Sequence, residues 1–267
     1  MENMAITVIL AGPRGRMGSE AVKMIENESD FKLVACIDRK YGGKQLKDID
    51  GLPDLNIPVF QDIEICFQQI NADIFIDLTV PEVGYYHTKT AIEHNIRPVV
   101  GTTGFTDEQI VELSQLAETK ETGCIIAPNF AIGAVLMMKF SEMAARYLPD
   151  VEIIEKHHDR KLDAPSGTAK KTAEMIMKTR ETKKQGHPNE KETIHGARGA
   201  EMDGMRIHSV RLPGLVAHQE VIFGSSGQTL SIKHDSLNRE SFMEGIKLSI
   251  YKVMDMKELA YGLENIL

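Results

Sequence analysis

Ala5-Ile6-Thr7-Val8-Ile9-Leu10-Ala11-Gly12-Pro13-Arg14-Gly15-Arg16-Met17-Gly18, near the start of the chain, is an apolar run that breaks into a glycine turn. Residues 5–11 are apolar and largely β-branched, which suits a buried strand. A glycine turn follows at once, then an amphipathic helical stretch from Ala21 through Ile25 and onward, then a second strand-like run, Phe31 to Ile37, ending in Asp38. The result is a βαβ unit with a short glycine turn after its first strand. Small residues there let the backbone approach a pyrophosphate, and the helix N-terminus offers unpaired N–H groups to it.

The spacing is GxxGxxG rather than the commoner GxGxxG, and Pro13 has no N–H to donate. The turn from Gly12 to Gly18 is where a dinucleotide's phosphates are expected. Asp38 suits the adenosine ribose hydroxyls, the usual sign of NAD, whereas Arg39 beside it and Arg16 in the turn suit a 2′-phosphate. NADH and NADPH both stay open on these residues.

Beyond a Gly-, Lys-, Asp- and Pro-rich loop at 40–58, the βα rhythm resumes. Strands are expected at 72–78, 97–100 and 123–127, with helices at 82–94 and 107–121. That alternation predicts a Rossmann-type, doubly wound parallel sheet in the α/β class. Ligands of such sheets lie at the carboxyl ends of the strands. Three turns fall on that edge: Thr79-Val80-Pro81-Glu82, Gly101-Thr102-Thr103-Gly104-Phe105 and Ala127-Pro128-Asn129-Phe130.

Near Asn129 the pattern changes. A methionine-rich helix (131–147) leads to a strand (151–155) and, after a loop, to a long helix running through Lys184. A polar, mobile loop is expected at 185–192. Segments 204–212, 216–223 and 229–234 alternate between Pro-Gly and Ser-Ser-Gly turns and read as an antiparallel meander. The expected division is a dinucleotide-binding domain at 1–128, completed by the amphipathic C-terminal segment 239–267, and an α+β substrate-binding domain at 129–238, to which the resemblance given below adds oligomerisation.

With 31 basic and 39 acidic residues the chain carries a formal charge of −8, which argues against general nucleic-acid binding. Cys36, Cys66 and Cys124 are odd in number, lack CxxC spacing and sit in apolar runs, so buried reduced thiols in a cytoplasmic protein are expected. No apolar run approaches the length of a membrane span, so no membrane partner is expected.

The chemistry concentrates in Glu155-Lys156-His157-His158-Asp159-Arg160-Lys161-Leu162-Asp163-Ala164-Pro165-Ser166-Gly167-Thr168-Ala169. Consecutive histidines at a strand end face opposite ways while strand geometry persists, so His157 and His158 are expected to do different jobs. Lys161 can turn back from the following loop. Ser166 can cap a helix starting at Gly167, and the N–H groups of Gly167 and Thr168 then form an anion site. A small substrate bearing carboxylates fits this cationic nest. Imidazole exchanges protons near neutral pH, so the inferred reaction is hydride transfer to a polarised C=C or C=N with a proton from His157 or Lys161. The run His-His-Asp lacks helical zinc spacing and has no nearby cysteine, so no metal is expected. His195, His208, His218 and His234 earn no role from the sequence.

Residues 152–169 resemble the signature of the bacterial dihydrodipicolinate (4-hydroxy-tetrahydrodipicolinate) reductase family, with Lys156 standing between the glutamate and the histidines. Gly15-Arg16-Met17-Gly18, Gly101-Thr102-Thr103-Gly104 and Ala127-Pro128-Asn129-Phe130 extend the likeness over essentially the whole chain. The resemblance implies reduction of a cyclic dicarboxylate by NADH or NADPH in lysine biosynthesis, in a homotetramer assembled through the meander domain. It implies His157 as proton donor or acceptor and Lys161 as second proton donor, with His158, Gly167 and Thr168, beside the cap Ser166, holding the carboxylates. It implies cofactor contacts at Gly12, Pro13, Arg14, Gly15, Arg16, Met17, Asp38, Arg39, Gly101, Thr102, Thr103, Ala127, Pro128, Asn129 and Phe130. Pro13 stands where alanine is frequent and Ala131 where serine is frequent, which puts one pyrophosphate N–H and one hydroxyl contact in doubt. Two rival readings fare worse. A semialdehyde dehydrogenase would want a nucleophilic cysteine in a turn, and a dinucleotide-sensing regulator would not need both His157 and Lys161.

Overall fold

The computed structural model describes residues 5–267, which form two compact units: residues up to Phe130 together with Arg239–Leu267, and Ala131–Asn238. The first unit begins β1 (Ile6–Ala11), α1 (Arg16–Asn27), β2 (Phe31–Ile37), β3 (Val59–Phe60), α2 (Ile63–Gln69), β4 (Ile74–Asp77), α3 (Pro81–Glu93), β5 (Arg97–Val100), α4 (Asp107–Lys120) and β6 (Cys124–Ile126). The second unit holds α5 (Ile132–Ala145), β7 (Asp150–His157), α6 (Gly167–Met177), β8 (Ala200–Met202), β9 (Met205–Arg211), β10 (Ala217–Ser225) and β11 (Gln228–Ser236). The chain then returns to the first unit as α7 (Met243–Met254) and β12 (Leu259–Tyr261).

In the first unit seven strands run parallel in the order β12-β6-β5-β4-β1-β2-β3. Central strands of such a sheet are covered on both faces and need continuous apolar sequence. Val8 to Ala11 and Ile74 to Ile76 meet that need and are fully buried. One apolar layer gathers Ile9, Ile37, Phe67 and Phe75; another gathers Ile92, Val100, Leu113 and Ile126. The strand order reverses direction between β1 and β4, and the turns leaving β1, β2, β4, β5 and β6 all sit at the carboxyl edge. The sequence gives no sign of β3 or β12, because two- and three-residue strands carry no usable periodicity, nor of α2, whose seven residues fall short of the window over which helical periodicity shows.

The five strands of the second unit are ordered β11-β10-β7-β9-β8. The β10–β11 hairpin is antiparallel and turns through Ser226-Gly227, with Gly227 at φ +77°. The expected three-strand meander, however, is interrupted. β7 lies between β9 and β10, antiparallel to β10 and parallel to β9, so the sheet is mixed. β7, β9 and β10 alternate apolar-in and polar-out, which fixes faces but leaves neighbour order open.

The helix expected to run through Lys184 stops at Met177. The cause is tertiary. Arg180 is 5% exposed, and its guanidinium donates to the carbonyls of Pro149 (2.5 Å), Asp203 (2.6 Å) and Lys183 (2.9 Å), which pulls the chain out of the helical path. The polar loop beyond it is tied down. The Gln185 side chain accepts from the Val151 N–H and donates to the Val151 carbonyl (2.6 and 2.9 Å). Arg198 bridges Glu190 and Glu152.

Candidate active site

The glycine turn after β1 is built as its sequence requires. Gly12 has φ +83°, and a Cβ there would come within 2.9 Å of the Leu78 carbonyl; a Cβ at Gly18 would overlap the Gly12 carbonyl. Both positions demand glycine for backbone reasons. Pro13 is buried in the turn, and Arg16 and Met17 open α1. A cavity of about 370 Å³ lies against this turn, lined by Gly12, Arg14, Gly15, Asp38, Arg39 and His87 among others.

Asp38 is buried, and its carboxylate is gripped by Arg14, with Nε to Oδ2 at 2.7 Å and Nη2 to Oδ1 at 3.1 Å, while the Lys40 N–H donates to Oδ1 at 2.8 Å. The hydrogen bond to Asp38 raises the Arg14 guanidinium above its ordinary value despite partial desolvation. Arg14 also stands over the Tyr41 ring, 5.1 Å from its centroid. The basic partner of Asp38 is therefore Arg14 rather than its neighbour Arg39, which is exposed.

Of the other expected cofactor residues, Gly101 sits against Leu78 and Phe130, and Thr102 donates to Asp77 at 3.0 Å. Thr103 is exposed. Ala127 and Phe130 are buried beside exposed Pro128. These residues share the carboxyl edge with the glycine turn but do not line the 370 Å³ cavity. A glycine cradle at a helix start and a buried carboxylate at the end of the second strand fit a dinucleotide.

The second unit assembles a different constellation at the end of β7. His157 is the last strand residue; its Nδ1 lies 2.6 Å from Glu155 Oε2. Glu155 is fully buried, and Arg211 meets it through both Nη atoms at 2.8 Å while the Ser166 N–H donates to Oε1 at 3.2 Å. Burial alone would raise this carboxyl, but hydrogen bonds from His157 and Arg211 outweigh it and hold the group far below the usual carboxylate range. Arg211 Nη2 reaches on to the Asp163 carbonyl at 2.8 Å, bracing the loop that carries Lys161. Lys161 Nζ pairs with Asp163 Oδ1 at 2.7 Å, and that bond lowers the Asp163 carboxyl.

The helix start is as the sequence suggests. Ser166 accepts from the Ala169 N–H at 3.2 Å, and the first helical bond runs from the Lys170 N–H to the Ser166 carbonyl. The Gly167 and Thr168 amides thus precede the helical ladder. A Cβ on Gly167 would meet nothing within 4 Å, so the chain is uncrowded on that side of the helix start. His158 lies just past β7, and its Nδ1 is buried with no hydrogen-bond partner among the described residues. An orphaned imidazole nitrogen and a helix N-terminus each suit a carboxylate.

Two residues to which the sequence assigns no role, Glu155 and Arg211, complete this site. Glu155 was recoverable, since a residue two before His157 on a strand shares its face. Arg211 was not; it pairs across 56 positions with no local signal. The three thiols are free and buried, and burial pushes Cys66 up to about 12 and raises Cys36 and Cys124 as well. None is a nucleophile at neutral pH. Among the described residues, no helix is long and apolar enough to cross a membrane.

Comparison with known proteins agrees across both units. Residues 6–130 match the family described as "Dihydrodipicolinate reductase, N-terminus" and residues 133–267 its "C-terminus" counterpart. The 4-hydroxy-tetrahydrodipicolinate reductase of Oceanobacillus iheyensis is 67% identical over 99% of this chain and 100% of its own length. That of Bacillus pumilus is 61% identical over the full length of both. The solved structure of dipicolinate-bound dihydrodipicolinate reductase from Paenisporosarcina sp. TG-14 superposes with a TM-score of 0.91 at 57% identity, covering 99% of this chain and 100% of that one.

Proposed function

The chain belongs to the dihydrodipicolinate reductase family, and from that premise we propose that it reduces 4-hydroxy-tetrahydrodipicolinate to tetrahydrodipicolinate with NADH or NADPH, on the diaminopimelate route to lysine. The observation that carries the reading is the Glu155–His157–Arg211 network, joined through the Ser166 N–H to the start of α6.

In this reading the Gly167 and Thr168 amides and His158 hold the substrate carboxylates, with Ser166 fixing the first turn of α6. The dicarboxylate bound in the Paenisporosarcina relative supports that assignment of ligand class. Gly12 to Met17, Asp38, Arg39, Gly101 to Thr103 and Ala127 to Phe130 are the residues that would hold the dinucleotide. When bound, the reduced nicotinamide supplies the hydride.

The chain's own part is the proton. Glu155 binds His157 through Nδ1, which leaves Nε2 as the nitrogen that can give or take one. Because Arg211 compensates the carboxylate, Glu155 stays anionic and stabilises the imidazolium without itself accepting the proton. Lys161, steadied by Asp163, is a second cation beside the substrate carboxylates and a second proton source. The proposal also takes in a cytoplasmic homotetramer, which rests on the family likeness.

The test is a coupled assay in which 4-hydroxy-tetrahydrodipicolinate is generated in situ. Oxidation of NADH or NADPH is expected only when that substrate is supplied, and running both nucleotides side by side gives the preference. Absence of substrate-dependent oxidation with either would sink the proposal.

A further inference from the structure

A second carboxylate–imidazole pair lies in the first unit. Asp77, at the end of β4, is fully buried. Its Oδ1 accepts from the Thr79 N–H (2.8 Å), the Thr79 hydroxyl (2.5 Å) and the Thr102 hydroxyl (3.0 Å); its Oδ2 binds His87 Nδ1 at 2.8 Å. One carboxylate thereby ties together the turn after β4, the turn after β5 and helix α3. A structural tie of this kind would explain Asp77 and the threonines. It does not explain why the fourth partner is a histidine.

His87 packs edge-on against Phe75, with centroids 6.0 Å apart and planes at 79°, and stands 6.1 Å from the Tyr86 ring. Its side chain keeps 12% exposure, and it lines the 370 Å³ cavity with Gly12, Arg14, Gly15 and Asp38. With Nδ1 committed to Asp77, Nε2 is the one polar atom the ring has left to offer. The company it keeps says which half of a dinucleotide it meets. Gly12, Gly15, Asp38 and Arg39 mark the pyrophosphate and adenosine side, whereas Gly101–Thr103 and Ala127–Phe130 are absent from the cavity wall.

We propose that His87 is a cofactor-contact residue that binds the adenosine half of the dinucleotide through Nε2, with Asp77 as the positioning residue that fixes its tautomer and ring plane. The inference rests on the dinucleotide reading given above. It assigns to Nε2 an acceptor role toward a ribose hydroxyl or the adenine amino group.

Two substitutions at one position separate contact from support. His87→Asn places an amide nitrogen where Nδ1 was and keeps a donor for Asp77, but removes Nε2. His87→Gln places a polar atom near Nε2. Binding of NADH, NADPH, ADP-ribose and reduced nicotinamide mononucleotide is measured on the full chain. His87→Asn is expected to weaken the first three by about 5–10-fold, the worth of one hydrogen bond. The mononucleotide should stay within about twofold, and His87→Gln should recover most of the loss.

Unaltered ADP-ribose affinity in His87→Asn, or an equal loss for the mononucleotide, would overturn the assignment. Nitrogen NMR of the unsubstituted protein provides a route that needs no variant. The His87 Nε2 resonance should move on adding ADP-ribose and stay put on adding the mononucleotide; no movement with ADP-ribose counts against the contact. If the unsubstituted protein bound none of the four nucleotides, the dinucleotide reading itself would fail, a separate result.

Discussion

Each unit holds a fully buried carboxylate bound to the Nδ1 of an imidazole, at 2.6 Å for Glu155–His157 and 2.8 Å for Asp77–His87. They differ in what else the carboxylate holds. Glu155 is matched by a guanidinium that meets both its oxygens. Asp77 is matched by two hydroxyls and a backbone amide, and His87 is its one ionisable partner among the described residues. A guanidinium supplies a full compensating charge, so the carboxylate keeps its own while the imidazole gains or loses a proton. Hydroxyls and amides supply direction instead. The first arrangement suits proton transfer, and the second suits holding a ring, two turns and a helix in one geometry.

The largest effect should come from His157, the proposed proton-transfer group. His157→Gln is expected to cut kcat by roughly 10²–10⁴-fold, the usual worth of general acid–base assistance. Nucleotide binding should stay within about twofold, because His157 belongs to the other unit. A variant with undiminished turnover would break the comparison at its root, leaving Glu155–His157 as another positioning pair.

Next in size is the guanidinium. Arg211→Met leaves Glu155 buried without its compensating charge, and breaking a buried pair on one side costs about 3–5 kcal/mol. The same change has a pH signature. Glu155 is held far below the usual carboxylate range, so its contribution to stability is complete above the unfolded value of about 4.3 and is lost as pH falls toward the folded one. Without Arg211 the folded value rises, so acid unfolding should begin at higher pH. Urea unfolding of both proteins between pH 7 and pH 3 checks this; superimposable acid limbs would show that Arg211 does not set the charge of Glu155.

How legible these pairs were in the sequence follows their reach along the chain. The parallel sheet announced itself through local periodicity and the glycine turn, and the helix start at Ser166 through a three-residue capping pattern. The cationic motif at 155–169 could be read because its members are close in sequence. The mixed order of the second sheet could not, since β7 pairs with partners more than 45 residues away and alternation is silent about neighbours. Arg180 ended a helix whose propensity ran on, by reaching Pro149 and Asp203. The Arg14–Asp38 pair carries no sequence signal either, because it forms only where the glycine turn folds back toward the end of β2.

The smallest expected effect is the most direct measure of how the pairs differ. Thr102→Val keeps the side-chain shape and removes one of three donors to Asp77 Oδ1. The Thr79 N–H and hydroxyl stay bound to the same oxygen, so the carboxylate is not orphaned. A typical net hydrogen bond is worth about 1 kcal/mol, and the loss should be of that size, several-fold below that of Arg211→Met. Thr102 also stands in the turn after β5, so its release should loosen that turn and raise the cofactor KM modestly while the substrate KM holds. Chemical denaturation and the two KM values measure both parts. A loss for Thr102→Val as large as that for Arg211→Met would mean that the Asp77 network depends on each donor as heavily as Glu155 depends on its guanidinium. The contrast between a charge-compensated pair and a dipole-held pair would then have no energetic content.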